Sequence, residues 1–179
     1  MAFTIRPFHH SDIAAITTIY GSHVINGFGS YELHAPTEEE MRGRFSKLEK
    51  DGMPIRIACD AEGNVVGYAY AGFYHGRPGW RFTLEDSVYV SSDHMGQGIG
   101  NALLLDLIGA CEAGPWRQMV SVIGDSANNK ASVALHKRHG FEMIGILSAT
   151  GWKGGEWRDT AIMQRPLGAG ASSDPTDNF

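Results

Sequence analysis

Apolar positions along this chain switch between a period of about two and a period of about 3.6, and the switches outline an α/β domain without internal repeats. Residues 3–8 predict an edge strand. Residues 12–25 then place Ile13, Ile16, Tyr20 and Val24 at helical spacing. After a loop carrying Gly27, Phe28, Gly29 and Tyr31, Thr37 and Glu40 form a capping-box pair ahead of Met41, Phe45 and Leu48, so a second helix is expected to run to Gly52. The period returns to two in residues 54–60 and 65–73, a hairpin around Glu62, Gly63 and Asn64. A Gly/Pro-rich turn at 76–79 leads to a long central strand, in which Val88 and Val90 alternate with Ser87, Tyr89 and Ser91. An apolar helix is expected over 101–110, a buried strand over 118–124, a helix over 130–139 closed by Gly140, and two last strands over 141–149 and 157–165. The Gly/Ala/Ser/Asp-rich stretch 168–179 is expected to be a disordered tail, which leaves 1–167 as one domain.

Composition narrows the classes. A chain of 179 residues suffices for one domain with a substantial core. Its net charge is −5 and no run of Lys or Arg stands out, which argues against nucleic acid or an anionic membrane as partner. Cys59 and Cys111 are the only cysteines and lie far apart, so no disulfide framework is expected and a reducing cytoplasm is the natural setting. Neither a signal-peptide pattern nor an 18-residue apolar run is found, which points to a soluble protein. The histidines show no metal-ligand grouping, and no metal is expected.

The most specific stretch is 83–100, TLEDSVYVSSDHMGQGIG, where a strand runs into a glycine-rich loop that opens a helix. Gly96, Gly98 and Gly100 leave room for close approach. Backbone N–H groups at a helix N-terminus, backed by its dipole, bind phosphate or pyrophosphate, so a nucleotide-like cofactor is expected. No Lys-Ser or Lys-Thr follows the last glycine, which excludes a P-loop. The loop lies mid-chain, and Val120 stands where a dinucleotide fingerprint needs an acid about 20 residues on. Taken alone, the loop is also compatible with a tight helix–sheet turn.

The flanks resemble the GNAT N-acetyltransferase superfamily, whose acetyl-CoA loop runs Arg or Gln, two residues, Gly, one residue, then Gly or Ala. Gly98 and Gly100 match, and Met95 occupies the Arg/Gln place. The nearer resemblance, over about residues 3–167, is to the phosphinothricin and methionine sulfone/sulfoximine acetyltransferases. It rests on Thr83-Leu84-Glu85 before Ser87-Val88-Tyr89-Val90, on Asn129, Ser132, Leu135 and His136 before Gly140-Phe141, and on Lys153, Gly155, Trp157 and Asp159. Gly154 stands where that branch often has Phe. The resemblance implies a GNAT fold, with a mixed sheet of about seven strands flanked by about four helices and acetyl-CoA at the splayed central strands. It implies cofactor contacts from Val88, Tyr89 and Val90, from Met95, Gly96, Gln97, Gly98, Ile99 and Gly100, and from Asn129 and Ser132. It also implies a homodimer whose second subunit helps to shape a loop at 153–159.

Amine acetylation needs a base, because an amino acid's amine is largely protonated near neutrality. Glu85 is the best candidate for that base. On a regular strand Arg81, Thr83 and Glu85 share one face, with Arg81 and Glu85 about 13 Å apart between Cα atoms at ~3.3 Å per residue. An anionic amino acid analogue fits between their tips. Taken alone, Glu85 is better read as a solvated or ion-paired strand carboxylate, and the resemblance at Thr83, Glu85 and Val88-Tyr89-Val90 reverses that. His136 stands where related enzymes place a tyrosine that protonates the leaving thiolate; proton donor, shared base and packing residue are all open roles. His139, at the helix end, suits the dipole as a cation. Tyr31, Phe28 and Trp80 are candidate pocket walls, and Arg77 is a second candidate cation. The expected activity is direct acetyl transfer to the α-amine of a small amino acid analogue. Another small amine such as a polyamine, or a non-catalytic acyl-CoA-binding module, is the alternative.

Overall fold

The computed structural model describes residues 2–175. Its elements are β1 (Thr4–Pro7), α1 (Ile13–Asn26), α2 (Glu38–Lys50), β2 (Ile55–Cys59), β3 (Val65–Phe73), β4 (Thr83–Val90), α3 (Ile99–Glu112), β5 (Gln118–Gly124), α4 (Lys130–Arg138), β6 (Glu142–Lys153) and β7 (Glu156–Pro166). The strands form one sheet in the order β1-β2-β3-β4-β5-β7-β6. Every neighbouring pair is antiparallel except β4–β5, which is parallel. This is the seven-stranded mixed sheet with four helices that the sequence led us to expect. Among the described residues, no helix is long and apolar enough to cross a membrane.

Side-chain size on β3 divides the core into two layers. Gly67, Ala69 and Ala71 are small and face α3, while Tyr68 and Tyr70 face α1 and α2. A Cβ on Gly67 would lie 3.0 Å from the Tyr89 carbonyl oxygen and 3.2 Å from Leu103 Cδ1, so only glycine lets α3 ride this close to the sheet. Leu103, Leu104 and Leu107 of α3 are fully buried there, each contributing about 1.5–3 kcal/mol of apolar burial. On the opposite face Ile13, Ile16 and Val24 of α1 pack with Phe45 of α2 and Tyr68. The predicted capping box is present. Thr37 Oγ1 accepts the Glu40 N–H at 3.2 Å, and Glu40 Oε2 accepts the Thr37 N–H at 2.7 Å.

The C-terminal hairpin departs from the sequence reading. Residues 153–159 were expected to form a loop, but β6 runs on to Lys153 and β7 starts at Glu156. Only Gly154 and Gly155 connect them, with φ of 66° and 77°. Positive φ at both central residues matches the right-handed twist of the strands, so two glycines close the hairpin where a longer loop was expected. The tail also has form over its described part. The Gly170 N–H donates to the Leu167 carbonyl and the Ser172 N–H to that of Ala169, while Arg117 donates to Ser173 and Asp174. Residues 176–179 lie outside the described part of the chain.

Candidate active site

The central strands part. β4 and β5 pair only at Thr83↔Gln118, Leu84↔Met119 and Glu85↔Val120, although β4 continues to Val90 and β5 to Gly124. Beyond Glu85 the edge of β4 that faces β5 is therefore open. The Phe82 carbonyl accepts from the N–H groups of Arg117 and Gln118 on the β5 side. The Thr83 carbonyl accepts from Tyr74, and the Ser91 N–H donates to Val66, both on the β3 side. Peptide groups of successive strand residues alternate in direction, so those of Val88 and Val90 point into the fork. The Val90 carbonyl lies 2.8 Å from His23 Nε2, and the Val88 N–H faces the gap. The side chains of Val88 and Val90 pack on the α3 core, and Tyr89 packs edge-on against Tyr20 and His23. These residues thus offer backbone to a ligand in the fork.

The glycine loop closes one end of it. Gly96 and Gly98 adopt φ of 75° and 85°, and Gly98 is the N-cap of α3 without a side-chain cap. The first N–H groups of α3 are thereby left to an external acceptor, beside the positive end of the dipole. Gln97 braces the loop by donating to the Asp93 carbonyl at 3.3 Å. Met95 is exposed. The Ile99 side chain is core, so its part in the site is confined to its backbone. A Cβ on Gly100 would make ordinary contact with Val90 and Leu135 at 3.6 and 3.7 Å. An open strand edge leading to an uncapped helix N-terminus suits an extended ligand that ends in phosphates, and the acetyl-CoA predicted from the sequence has that form.

Glu85 is the last β4 residue paired with β5 and sits half-buried at the crotch of the fork. Burial first, and then the charge of Asp86, push its carboxyl up to about 7. A base poised near working pH is the best compromise between being deprotonated and being basic. A cavity of about 250 Å³ opens between α1, α2 and β3, lined by Tyr20, Phe45, Leu48 and Tyr70 with Arg44 and Lys47 among its walls. It adjoins Glu85: Gly72, the β3 partner of Glu85, has Leu48 directly over it. Thr83 shares the Glu85 face of the strand.

Arg81 does not lie on that face. Pro78–Trp80 form a 3₁₀ turn, and Arg81 closes it with φ −58° and ψ −19°, before the strand begins at Thr83. Pro78 presets the turn, which breaks the strand periodicity assumed for Arg81. Its guanidinium donates to the Pro78 carbonyl at 3.1 Å and stacks 4.4 Å from the Phe82 ring. Arg77 caps the start of the same turn. Trp80, 44% exposed, packs on Tyr74 and His75.

The residues contributed by α4 lie on the other face of β4. His136 is buried, with Nε2 2.9 Å from Asp86 Oδ2 and Nδ1 2.7 Å from the Ser132 carbonyl oxygen. Glu85 and His136 are therefore not brought together. Burial alone would lower the His136 pKa, but the hydrogen bond and charge of Asp86, with the Ser132 carbonyl, outweigh it and leave it raised. His139 is held down, by burial first and then by Arg138 and Arg165, and its Nε2 lies 3.0 Å from Asn101 Oδ1; it is not the helix-end cation expected from the sequence. Asn129 is the N-cap of α4 but makes no side-chain cap; its Nδ2 donates to the Gly124 carbonyl at 3.4 Å, at the tip of β5. Tyr31 is pinned at that tip, accepting the Asp125 N–H and bonding to Asp159 and Thr160. Phe28 lies 4.1 Å beneath the Arg158 guanidinium, against the Gly154 turn.

Sequence reasoning missed Asp86, and it missed Lys153 as a buried cation. Lys153 donates to the Ser30 carbonyl at 2.7 Å, and burial lowers its pKa. Asp86 did leave a signal: it is the one acid on the Leu84, Val88 and Val90 face of an otherwise apolar strand side. Among the described residues, no group of three or more His, Cys, Asp or Glu is placed to hold a metal ion.

Comparison with known proteins agrees with this geometry. Residues 22–141 match the Acetyltransferase (GNAT) family. The chain is 48% identical to the phosphinothricin N-acetyltransferase of Alcaligenes faecalis over 174 residues, covering 97% of this chain and 87% of that protein. It is 36% identical to the L-methionine sulfoximine/L-methionine sulfone acetyltransferase of Pseudomonas paraeruginosa, covering 98% of each. A crystal structure of a GNAT superfamily phosphinothricin acetyltransferase from Sinorhizobium meliloti in complex with AcCoA superposes with a TM-score of 0.97, at 46% identity, covering 100% of this chain and 96% of that one. The chain belongs to the GNAT acetyltransferase family.

Proposed function

We propose that this enzyme transfers the acetyl group of acetyl-CoA directly to the α-amine of a small amino acid analogue of the phosphinothricin or methionine sulfone/sulfoximine type. The observation that carries the mechanism is the half-buried Glu85 carboxyl, raised to about 7, where the open edge of β4 begins. Glu85 takes the ammonium proton, which frees the amine lone pair to attack the thioester carbon. The Val88 N–H faces the carbonyl oxygen as negative charge grows there. The nitrogen, now bonded to carbon, gives its second proton to water as the C–S bond breaks, and a thiolate of ordinary pKa ~8.5 leaves without needing a dedicated acid. His136, with both ring nitrogens engaged, takes no part in these steps. Asn129 and Ser132 border the cofactor gap. Tyr31, Thr83 and Trp80 shape the acceptor side.

The relatives' substrates support an anionic amino acid analogue as acceptor, whereas the cavity's Arg44 and Lys47 are paired with Glu32 and Asp51. Arg81 is occupied within its own turn, so Arg77 is assigned to the substrate's anionic end. Arg77→Ala is expected to raise KM for the anionic analogues by about 10-fold, the loss of one charge-assisted hydrogen bond, and Arg81→Ala by much less. Thiol release from acetyl-CoA, measured against amino acids, their sulfone, sulfoximine and phosphinate analogues, a polyamine and a peptide amine, tests the reading. Turnover of the polyamine alone, or of none of these amines, overturns it.

A homodimer is part of the same proposal. Ile144, Ile146, Leu147, Trp152 and Trp157 are all at least half exposed on the hairpin that ends the sheet, more apolar surface than a lone edge usually leaves to water. The two unpaired, buried thiols of Cys59 and Cys111 fit a cytoplasmic setting.

A further inference from the structure

α4 is tied to both prongs of the fork. Asn129 at its start donates to Gly124 at the end of β5, and His136 in its last turn holds Asp86, the first β4 residue past the last pair with β5. Leu135 between them reaches the first turn of α3, within 3.7 Å of a Cβ built on Gly100. The helix therefore spans the gap in which the cofactor would lie. A backbone carbonyl only accepts, so His136 Nδ1 donates to Ser132. A carboxylate likewise only accepts, so Nε2 donates to Asp86. Both bonds together require the doubly protonated ring.

We propose that Asp86 is a positioning residue: it holds His136 as an imidazolium, and the resulting latch between α4 and β4 fixes the width of the cofactor gap. The pair is almost fully buried, with side-chain exposures of 4% for His136 and 1% for Asp86. Buried pairs of this kind add little net stability against an apolar alternative, and setting a register is their best-attested use. The surroundings favour the charged ring. Among the described residues Asp86 Oδ1 has no hydrogen-bond partner, and Oδ2 bonds to His136. From α3 the facing titratable group is Cys111, whose thiol is pushed up to about 12 by burial and then by Asp86. Glu85 is next to Asp86 on β4 but on the other face. Lys137, Arg138 and His139 follow His136 on α4, and the Phe141 ring meets the imidazole edge-on at 5.0 Å.

The inference rests on reading the fork as the acetyl-CoA site, but half of its test does not. In protein labelled with ¹⁵N-histidine, long-range ¹H–¹⁵N spectra should show both His136 ring nitrogens protonated at pH 7.5, where an ordinary histidine of pKa ~6.5 is neutral. In Asp86→Asn the ring should be neutral at that pH. The same variant should bind acetyl-CoA about 5-fold more weakly by calorimetry, keep kcat at saturating cofactor and at a pH above the Glu85 midpoint within about 2-fold, and move that midpoint downward, since the charge of Asp86 helps to raise it. If Asp86→Asn does not fold, His136→Gln, which keeps one amide donor, carries the same affinity expectation. A wild-type ring with a bare Nε2, or an unchanged cofactor affinity in the folded variant, overturns the latch. A fall in kcat at unchanged affinity also overturns it, since His136 would then act in the chemistry. Failure of every amine to turn over would sink the proposed substrate, while the spectra and the calorimetry would still decide the role of Asp86.

Discussion

Glu85→Gln is expected to lower kcat by about 10²-fold or more near neutrality, because the side chain keeps its size but can no longer take the ammonium proton. Wild-type kcat/KM should rise with pH through a midpoint near 7, where the Glu85 carboxyl ionises. In the variant this limb should vanish, leaving partial recovery at high pH where the amine is already neutral. Acetyl-CoA affinity should change little, since the cofactor is held by the β4 edge and the glycine loop. The same residue makes a stability prediction. Its pKa rises from 4.5 to about 7 on folding, so between those values the folded state binds more protons than the unfolded one. Its contribution is fully present below pH 4.5 and is lost as pH rises through about 7. Glu85→Gln should therefore melt at least as high as wild type at pH ~8, and lose that advantage near pH ~4.5. A variant with wild-type kcat across pH would remove Glu85 from proton transfer, whatever its melting temperature.

Much of this was legible because the chemistry is written in a short stretch of chain. β3 and β5 begin and end where the sequence pattern places them, and Gly98 marks the start of α3 through the backbone conformation it permits. Glu85 was singled out by the resemblance at Thr83-Leu84-Glu85, while the strand period assigns it only a face. Where the reading went astray, a local preference or a distant partner had displaced the period. Pro78 winds a 3₁₀ turn through Arg81, so extending the strand backwards put a cation on a face it does not occupy. The two glycines at 154 and 155 were read as loop when their positive φ closes a hairpin. The Asp86–His136 bond joins residues 50 positions apart, and no period reports such a contact. The fork depends on where β4 and β5 stop pairing, and that lies beyond any single segment.

Gly98→Asp is expected to lower acetyl-CoA affinity by more than about 10-fold while leaving the protein folded. Two effects act at this position and can be separated. Gly98 has φ of 85°, so any side chain there meets backbone strain of about 1–2 kcal/mol, yet nothing lies within 4 Å of the added Cβ and no clash follows. For a chain of this size that strain lowers the melting temperature by roughly 2–8 °C, which a folded protein survives. The second effect is on the ligand. Asp is a good N-cap, so its carboxylate would accept the α3 N–H groups that the phosphates require and repel the phosphates besides. Gly98→Ala carries the strain without the charge and should lose far less affinity. Calorimetry on both variants decides between these effects: equal losses in Ala and Asp would make the loop's shape the cause, and an Asp variant that binds as wild type would remove the loop from cofactor binding. Met95→Arg places a cation at an exposed position, 56% accessible, beside the same N-terminus, and should leave affinity unchanged or strengthen it. A weaker Met95→Arg complex would mean that the phosphates do not approach from this side of the loop.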